Sequence, residues 1–281
     1  MTLLEKRIKR LSKGLSSSVA RLASEISPKS VHRLRTTIRR IEGLVAFTQP
    51  DLGKKQKKFL EDLAALRKRA GKVRDLDVQT GLLDAIANRS TASDRRVLMD
   101  SLQRKRARQA QRLHSAIRKL EGPKFFSHLN RIAGKPASAD RPGTPLQQAS
   151  QRLTELAAEF TFHQALRPRL LHQVRIRMKM IRYLAELGEK SAEQQRFLRA
   201  LKSVQDALGA WHDWEELART VEKQFGDRVN CPLLVEVRAL FAAKYSAATA
   251  AVAQLFSTYT SAPFRKQPRA ADAAQALARR A

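Results

Sequence analysis

Aromatic residues and cysteine are scarce in this chain of 281 residues. Phe, Trp and Tyr together make up 6% of it, and Cys231 is its one cysteine. A single thiol forms neither an intramolecular disulfide nor a thiolate zinc site, which excludes a disulfide-rich scaffold and fits a reducing compartment. Because hydrophobic residues still make up 43% of the chain, mostly as small and aliphatic side chains, the composition favours a core of packed helices.

Long apolar runs are also lacking. Residues 1–15 are basic and have no apolar run after them, so they do not form a signal peptide. The most apolar stretch, residues 240–256, is interrupted by Lys244, Ser246, Thr249 and Gln254, which favours a core helix over a membrane span. We therefore expect a cytoplasmic protein without membrane contact.

Acidic residues are too few to balance the basic ones. Lys and Arg number 55 against 26 Asp and Glu, which gives a formal net charge of +29. So large an excess disfavours the compact state through self-repulsion. A chain that retains it is expected to have an anionic partner, and nucleic acid, an anionic membrane and a phosphate polymer are the candidates.

Strand signals are nearly absent, whereas helical periodicity covers the chain. It predicts an all-α fold in which Gly71 and Gly209, among other glycines and prolines, separate helices. The predicted helices span residues 3–26, 30–48, 54–70, 75–89, 93–121, 146–164, 168–188, 192–208, 212–225 and 232–260. In this interpretation Asp75 and Asp213 cap or begin the helices that follow the two glycines, or hold a basic side chain by a salt bridge.

An internal repeat divides the sequence into two halves. Residues 31–41 and 171–181 share the pattern apolar-His-x-apolar-Arg-x-x-apolar-basic-x-Ile. A second block follows each, since residues 59–75 align with residues 197–213. Two blocks in the same order indicate a duplicated helical-bundle unit and hence a pseudo-two-fold protein. The predicted organisation is a first half at 1–133, a Pro/Gly-rich linker at 134–145, a second half at 146–261 and a flexible basic tail at 262–281.

The repeated helices have a basic flank beside an apolar stripe. At 100° per residue, Val31, Leu34 and Ile38 share one face, whereas His32, Arg35 and Arg39 lie together along its edge. The second half repeats this arrangement, with His172, Arg175, Lys179 and Arg182 on the flank. Cations at about 5 Å intervals along a helix suit a linear polyanion, because Arg binds phosphate oxygens through a fork and Lys supplies a mobile charge.

These motifs resemble the CHAD family, the conserved histidine α-helical domain. The resemblance rests on the two His-containing helices, on Gly71–Val78 with its Arg-Asp-Leu-Asp run, and on Leu201–Asp213 with its Gln-Asp and His-Asp pairs. It covers residues 3–260. It implies two helical bundles around a basic central groove, binding of inorganic polyphosphate and, for some members, association with polyphosphate granules.

The resemblance also implies a set of ligand-facing residues, which are His32, Arg35, Arg39, Arg74, His172, Arg175, Lys179, Arg182 and His212. Additional basic candidates are Arg33, Arg40, Lys57, Arg67, Lys72, Arg177 and Lys202. Two positions break the symmetry of the halves, because Glu42 stands where Arg182 stands and Arg74 stands where His212 stands. We expect no catalytic residue, metal or cofactor.

Two other functions remain open from the residues alone. Non-specific nucleic-acid binding is the main alternative, since the net charge permits weak binding at low salt. No helix-turn-helix, zinc-finger or RNA-binding signature supports it, and the basic rows are not interleaved with aromatic residues. Cleavage of a phosphate compound would need a metal-binding acidic cluster, which the sequence does not reveal.

Overall fold

The computed structural model describes residues 3–48, 52–119, 128–129, 143–161, 167–228 and 230–259. In these ranges the chain forms eight long α-helices and a short 3₁₀ turn at Arg89–Thr91, with no strand. We number the helices α1 (Leu3–Ser24), α2 (Pro28–Thr48), α3 (Lys54–Asp84), α4 (Ala92–Arg118), α5 (Pro145–Thr161), α6 (Pro168–Ala185), α7 (Ala192–Phe225) and α8 (Pro232–Tyr259). The predicted all-α fold is confirmed.

Two predicted helix breaks are wrong, at Gly71 and at Gly209. Helix α3 continues through the first glycine for 31 residues, and α7 continues through the second for 34 residues. A single glycine lowers helix stability by only about 1 kcal/mol, which packing along the rest of a long helix outweighs. Asp75 and Asp213 therefore lie inside helices, and the prediction that they begin new ones is also wrong.

Contacts between residues divide the chain into two compact units. The first comprises Met1–Thr80 and Met99–Pro142, and the second comprises Gly81–Leu98 and Gly143–Ala281. This division rests on contacts, whereas the predicted halves rest on the internal repeat, so the predicted boundaries and the pseudo-two-fold relation stay predictions. The tail at 262–281 and nearly all of the linker at 134–145 lie outside the described residues.

In the first unit, α1 packs along α2 around fully buried aliphatic side chains such as Leu15, Leu22 and Leu34. Polar contacts hold α4 to this core. The guanidinium of Arg106 donates to the Asp77 carboxylate at 2.6 Å and to the Ile26 carbonyl at 3.0 Å. These contacts join α4 to α3 and to the turn before α2, and α2 and α3 carry the predicted basic residues of this unit.

In the second unit, α7 and α8 form the most extensive helix pair, and α5 and α6 pack against each other. Trp211 is fully buried, with its ring 6.3 Å from that of Tyr245. Helix α8 is long and apolar enough to cross a membrane by length and composition alone. Its most apolar window is 39% buried, and Phe241 and Phe256 lie in the unit's core.

Candidate functional site

Helix α2 places the predicted basic row beside the core of the first unit. Val31, Leu34 and Ile38 are all fully buried, which confirms the predicted apolar stripe. With that face turned inward, the helical period puts His32 and Arg35 at the edge of the core, where both remain accessible to solvent.

His32 lies in a cluster of positive charges contributed by two helices. Its pKa is lowered from its ordinary value by partial burial and by the charges of Arg74, Arg35 and Arg39. Arg74 belongs to α3, so the fold brings it to the α2 row, as predicted. The imidazole is therefore neutral near pH 7, because burial and three neighbouring guanidinium groups both disfavour a further positive charge.

An ion pair with Asp75 positions Arg35. The guanidinium Nη1 donates to the Asp75 carboxylate at 3.3 Å, and the side chain is 17% exposed. Its Nε is buried without a hydrogen-bond partner. A side chain on Gly71 would contact this guanidinium, since a Cβ there would lie 3.9 Å from Nη2. Asp75 thus fills the second predicted role, which is to hold a basic side chain.

The second unit contains a corresponding cluster around His172. The rings of His172 and His212 lie 5.4 Å apart, which joins α6 to α7. The pKa of His172 is lowered by burial and by His212, Arg175 and Lys179, against an opposing contribution from Glu215. Each unit therefore holds a neutral histidine among basic groups from two helices.

The asymmetric positions Glu42 and Arg182 both form bonds between helices. In the second unit Arg182 donates to Gln205 at 3.0 Å, and Gln205 in turn donates to the Met178 carbonyl at 2.8 Å. In the first unit, at the aligned positions, Arg67 donates to Glu42 at 2.8 Å. The basic residue of this pair is therefore on the first helix in the second unit and on the second helix in the first unit. Arg67, an additional candidate, is paired with a carboxylate.

A cavity of about 390 Å³ opens at the first turn of α6. Backbone N–H groups at the start of a helix favour an anion there. The lining combines two histidines, two arginines and two glutamates, and it consists of Pro168, Arg169, His172, Gln173, His212, Glu215, Glu216 and Arg219. Of these, the predicted set includes only the two histidines.

Glu215, Glu216 and Arg219 are the residues that the sequence prediction missed. Arg219 donates to Glu215 at 2.7 Å and to Glu216 at 2.5 Å. Burial raises the pKa of Glu215, but His212 and Arg219 outweigh burial and leave it below its ordinary value. Their spacing of three, four and seven residues from His212, which puts all four on one face of a helix, is the signal that could have found them.

The same cluster has a geometry that a metal ion could use. Ligand atoms of His212, Glu215 and Glu216 all lie within 4.8 Å of one another. His212 Nδ1 lies 3.7 Å from the Glu215 carboxylate, which is longer than a hydrogen bond. Arg219 already pairs with both carboxylates, so a metal would compete with that guanidinium.

Among the additional candidates, two more have acidic partners. Arg177 donates to Glu159 through both Nη atoms, and Lys202 pairs with Asp206 one helical turn away. The remaining candidates are exposed, and they are Arg33, Arg40, Lys57 and Lys72. The acidic partners reduce the charge that Arg177 and Lys202 can offer to a ligand.

A comparison with protein-family models identifies the family of this chain. The family model described as CHAD domain matches residues 4–222. The chain belongs to the CHAD domain family. No curated protein is similar enough in sequence to match it.

Solved structures with the same fold include a CHAD domain. The crystal structure of the CHAD domain from the plant Ricinus communis is similar with a TM-score of 0.66 and 17% identity, over 94% of this chain and 92% of that one. PptA from Streptomyces chartreusis is similar with a TM-score of 0.60 and 20% identity, over 92% of this chain and 97% of that one. At these identities the likeness shows a shared all-α fold for this CHAD domain protein.

Proposed function

We propose that this protein binds inorganic polyphosphate without cleaving it, in the cytoplasm and on polyphosphate granules. The observation that carries the proposal is the recurrence of one arrangement in both units. In each, a neutral histidine lies among basic side chains from two helices, around His32 in the first and around His172 in the second. Such clusters concentrate donors and positive charge, and membership of the CHAD domain family supports the same ligand class.

The chemistry of the clusters suits a phosphate chain better than nucleic acid. Protein contacts with single-stranded nucleic acid use exposed aromatic rings on which bases stack. The two tryptophans nearest to the cluster, Trp211 and Trp214, are 0% and 7% exposed and belong to the core. Guanidinium and ammonium groups bind phosphate oxygens, and such contacts carry no information about bases.

The test is a fluorescence-anisotropy titration with labelled long-chain polyphosphate at about 0.15 M salt, where the Debye length is near 8 Å. The variant combines Arg35→Gln, Arg175→Gln and Lys179→Gln. Each lost contact to a charged group contributes about 1.5–3 kcal/mol, so we expect affinity to fall by roughly 100-fold or more.

A matched control removes the same charge from exposed positions outside the clusters, with Lys190→Gln, Arg196→Gln and Arg199→Gln. It should retain nearly all of the affinity. Equal losses in both triple variants would show that net charge alone binds the polymer, and the assigned clusters would be wrong. Displacement of polyphosphate by DNA or RNA at the same salt would favour the nucleic-acid alternative.

The cluster of His212, Glu215 and Glu216 is the observation that bears on hydrolysis. We propose that these carboxylates orient His212 and Arg219 instead of holding a catalytic metal, because Arg219 pairs with both. We expect no phosphate release from polyphosphate with added Mg²⁺ or Mn²⁺. Release that disappears in a Glu215→Gln variant would replace the binding proposal with a metal-dependent hydrolytic one.

A further inference from the structure

A second basic cavity lies in the first unit, away from the His32 cluster. It has a volume of about 440 Å³, within the range of ligand pockets. Four of its lining residues are basic and none is acidic, and the lining consists of Arg69, Arg108, Gln111, Arg112, Ser115, Ala116 and Lys119. The sequence suggests only a solvated face for the residues on α4, so this cavity is a product of the fold.

The α4 side of the cavity is a straight row. Arg108, Arg112 and Ser115 follow one another at intervals of four and three residues on one face of the helix, and Lys119 follows four residues later, directly after the helix ends. At about 1.5 Å per residue the row is about 16 Å long. The fully buried Leu113 turns the opposite face of α4 inward. A row of this length exceeds the reach of one phosphate ion and fits several linked phosphates.

The basic residues of this cavity are not used to hold the fold together. Arg106, on another face of α4, pairs with Asp77 at 2.6 Å and is a structural arginine. In contrast, within the described part of the chain no carboxylate lies within ion-pair distance of Arg69, Arg108, Arg112 or Lys119. Four cations that face one cavity without counter-charges repel one another, and a bound polyanion relieves that repulsion.

The cavity is separate from the cluster around His32. Arg69 and Arg74 are both on α3, but five residues put them about 140° apart around the helix axis. Arg74 acts on His32, whereas Arg69 faces the α4 row. The two sites share no residue, so each can be removed by substitution while the other is kept.

We propose that this cavity is a phosphate-chain site additional to the two clusters, so that one molecule holds more than one segment of polyphosphate. The choice of ligand rests on the proposed function, while the existence of an anion site rests on the cavity alone. No aromatic residue lines it, so base stacking has no platform there. A protein with two separate sites links chains to one another as well as binding them.

Isothermal titration with short-chain polyphosphate tests the proposal. The pocket variant, Arg108→Gln with Arg112→Gln, is compared with the full chain, with the triple variant of the two clusters, and with a control of Arg196→Gln and Arg199→Gln. We expect the pocket variant to lose one set of sites, or to bind it roughly tenfold or more weakly, and to keep the other set unchanged. The cluster variant should show the reverse loss, and the control should keep both sets.

A local probe supplies a second measurement. A fluorophore on Ser115→Cys reports on the cavity, because Ser115 is exposed while the native thiol, Cys231, is buried and unreactive. Its signal should saturate with polyphosphate both in the otherwise unchanged chain and in the cluster variant. A signal that orthophosphate saturates at equal concentration would overturn the assignment to a chain.

The outcomes separate this proposal from the proposed function. If the pocket variant keeps both sets of sites and the probe is silent, the additional site does not exist and the clusters remain. If the cluster variant keeps full binding while the pocket variant loses it, the cavity is a binding site and the assignment of the clusters is wrong. If DNA moves the probe signal and polyphosphate does not, the cavity is a nucleic-acid site and the proposal is wrong.

Discussion

The environments of two histidines, His32 and His172, predict how ligand binding depends on pH. The pKa values of His32 and His172 are lowered by burial and by the basic groups around them. In the free protein both imidazoles are therefore neutral and lie in the positive electrostatic potential of the neighbouring basic groups. An anionic chain cancels that potential, so ligand binding and protonation of these rings support each other.

This linkage predicts that affinity for polyphosphate rises as the pH falls from about 8 to about 5. The free protein holds the pKa values of His32 and His172 low, and a bound polyanion raises them. Binding therefore takes up protons, which acid conditions favour. A difference of one pKa unit changes affinity by up to about tenfold for each histidine. Anisotropy titrations at several pH values measure the slope.

Double substitution to His32→Gln and His172→Gln is the matching control. Glutamine keeps a donor but cannot be protonated, so the dependence on pH should flatten while binding persists. A slope that is unchanged in this variant would show that other groups take up the protons, and the two histidines would not face the ligand.

The residues that could be predicted are those fixed by helical periodicity. The stripe around Val31 and the flank containing Arg35 follow from spacing within one helix. Glu215, Glu216 and Arg219 were not predicted, because they lie up to two helical turns beyond the His-Asp pair. The Arg69 cavity could not be predicted, because Arg69 and the α4 residues that line it are about forty positions apart in sequence and meet only in the folded chain.

At the scale of the element, the two long helices α3 and α7 depend on packing more than on intrinsic propensity. Each contains a glycine at which the sequence predicts a helix break, and each helix continues through that glycine. Continuity matters for the site, because α7 carries Gln205 on one side of Gly209 and His212 on the other. A break there would remove the fixed angle between these side chains.

We expect Gly209→Ala to stabilise the fold. A Cβ at this position meets nothing within 4 Å, and alanine in a helix interior is favoured over glycine by about 0.5–1 kcal/mol. Gly226→Ala is the contrasting control, because its Cβ would lie 2.6 Å from the Glu222 carbonyl oxygen and the backbone would have to shift. Urea denaturation followed by circular dichroism should move the two midpoints in opposite directions. Destabilisation by Gly209→Ala would mean that α7 is interrupted at this glycine.

At the scale of the whole molecule, the net charge of +29 sets how binding responds to salt. Charged contacts release counterions, so the logarithm of affinity falls linearly with the logarithm of salt concentration. For a single-stranded polyanion, the six Arg and Lys residues of the predicted set correspond to a slope of about −4.

Titrations between about 0.05 and 0.2 M salt measure this slope. The variant with Arg35, Arg175 and Lys179 replaced by glutamine should lower its magnitude by about 2, since three contacts are removed. A slope unchanged in that variant, or equally reduced in the Lys190, Arg196 and Arg199 control, would indicate a diffuse electrostatic interaction without defined contacts.

The sequence by itself determined the helical class, the apolar stripes, the repeated His/Arg flanks and the resemblance to the CHAD family. These are local or periodic properties that a single helix expresses without its neighbours. Only the tertiary structure decided that α3 and α7 are continuous, that Asp75 holds Arg35, that Arg67 is paired with Glu42, and that four cations share a cavity. Those outcomes depend on which helix faces meet, and long-range packing energies choose between faces that local patterning leaves equivalent.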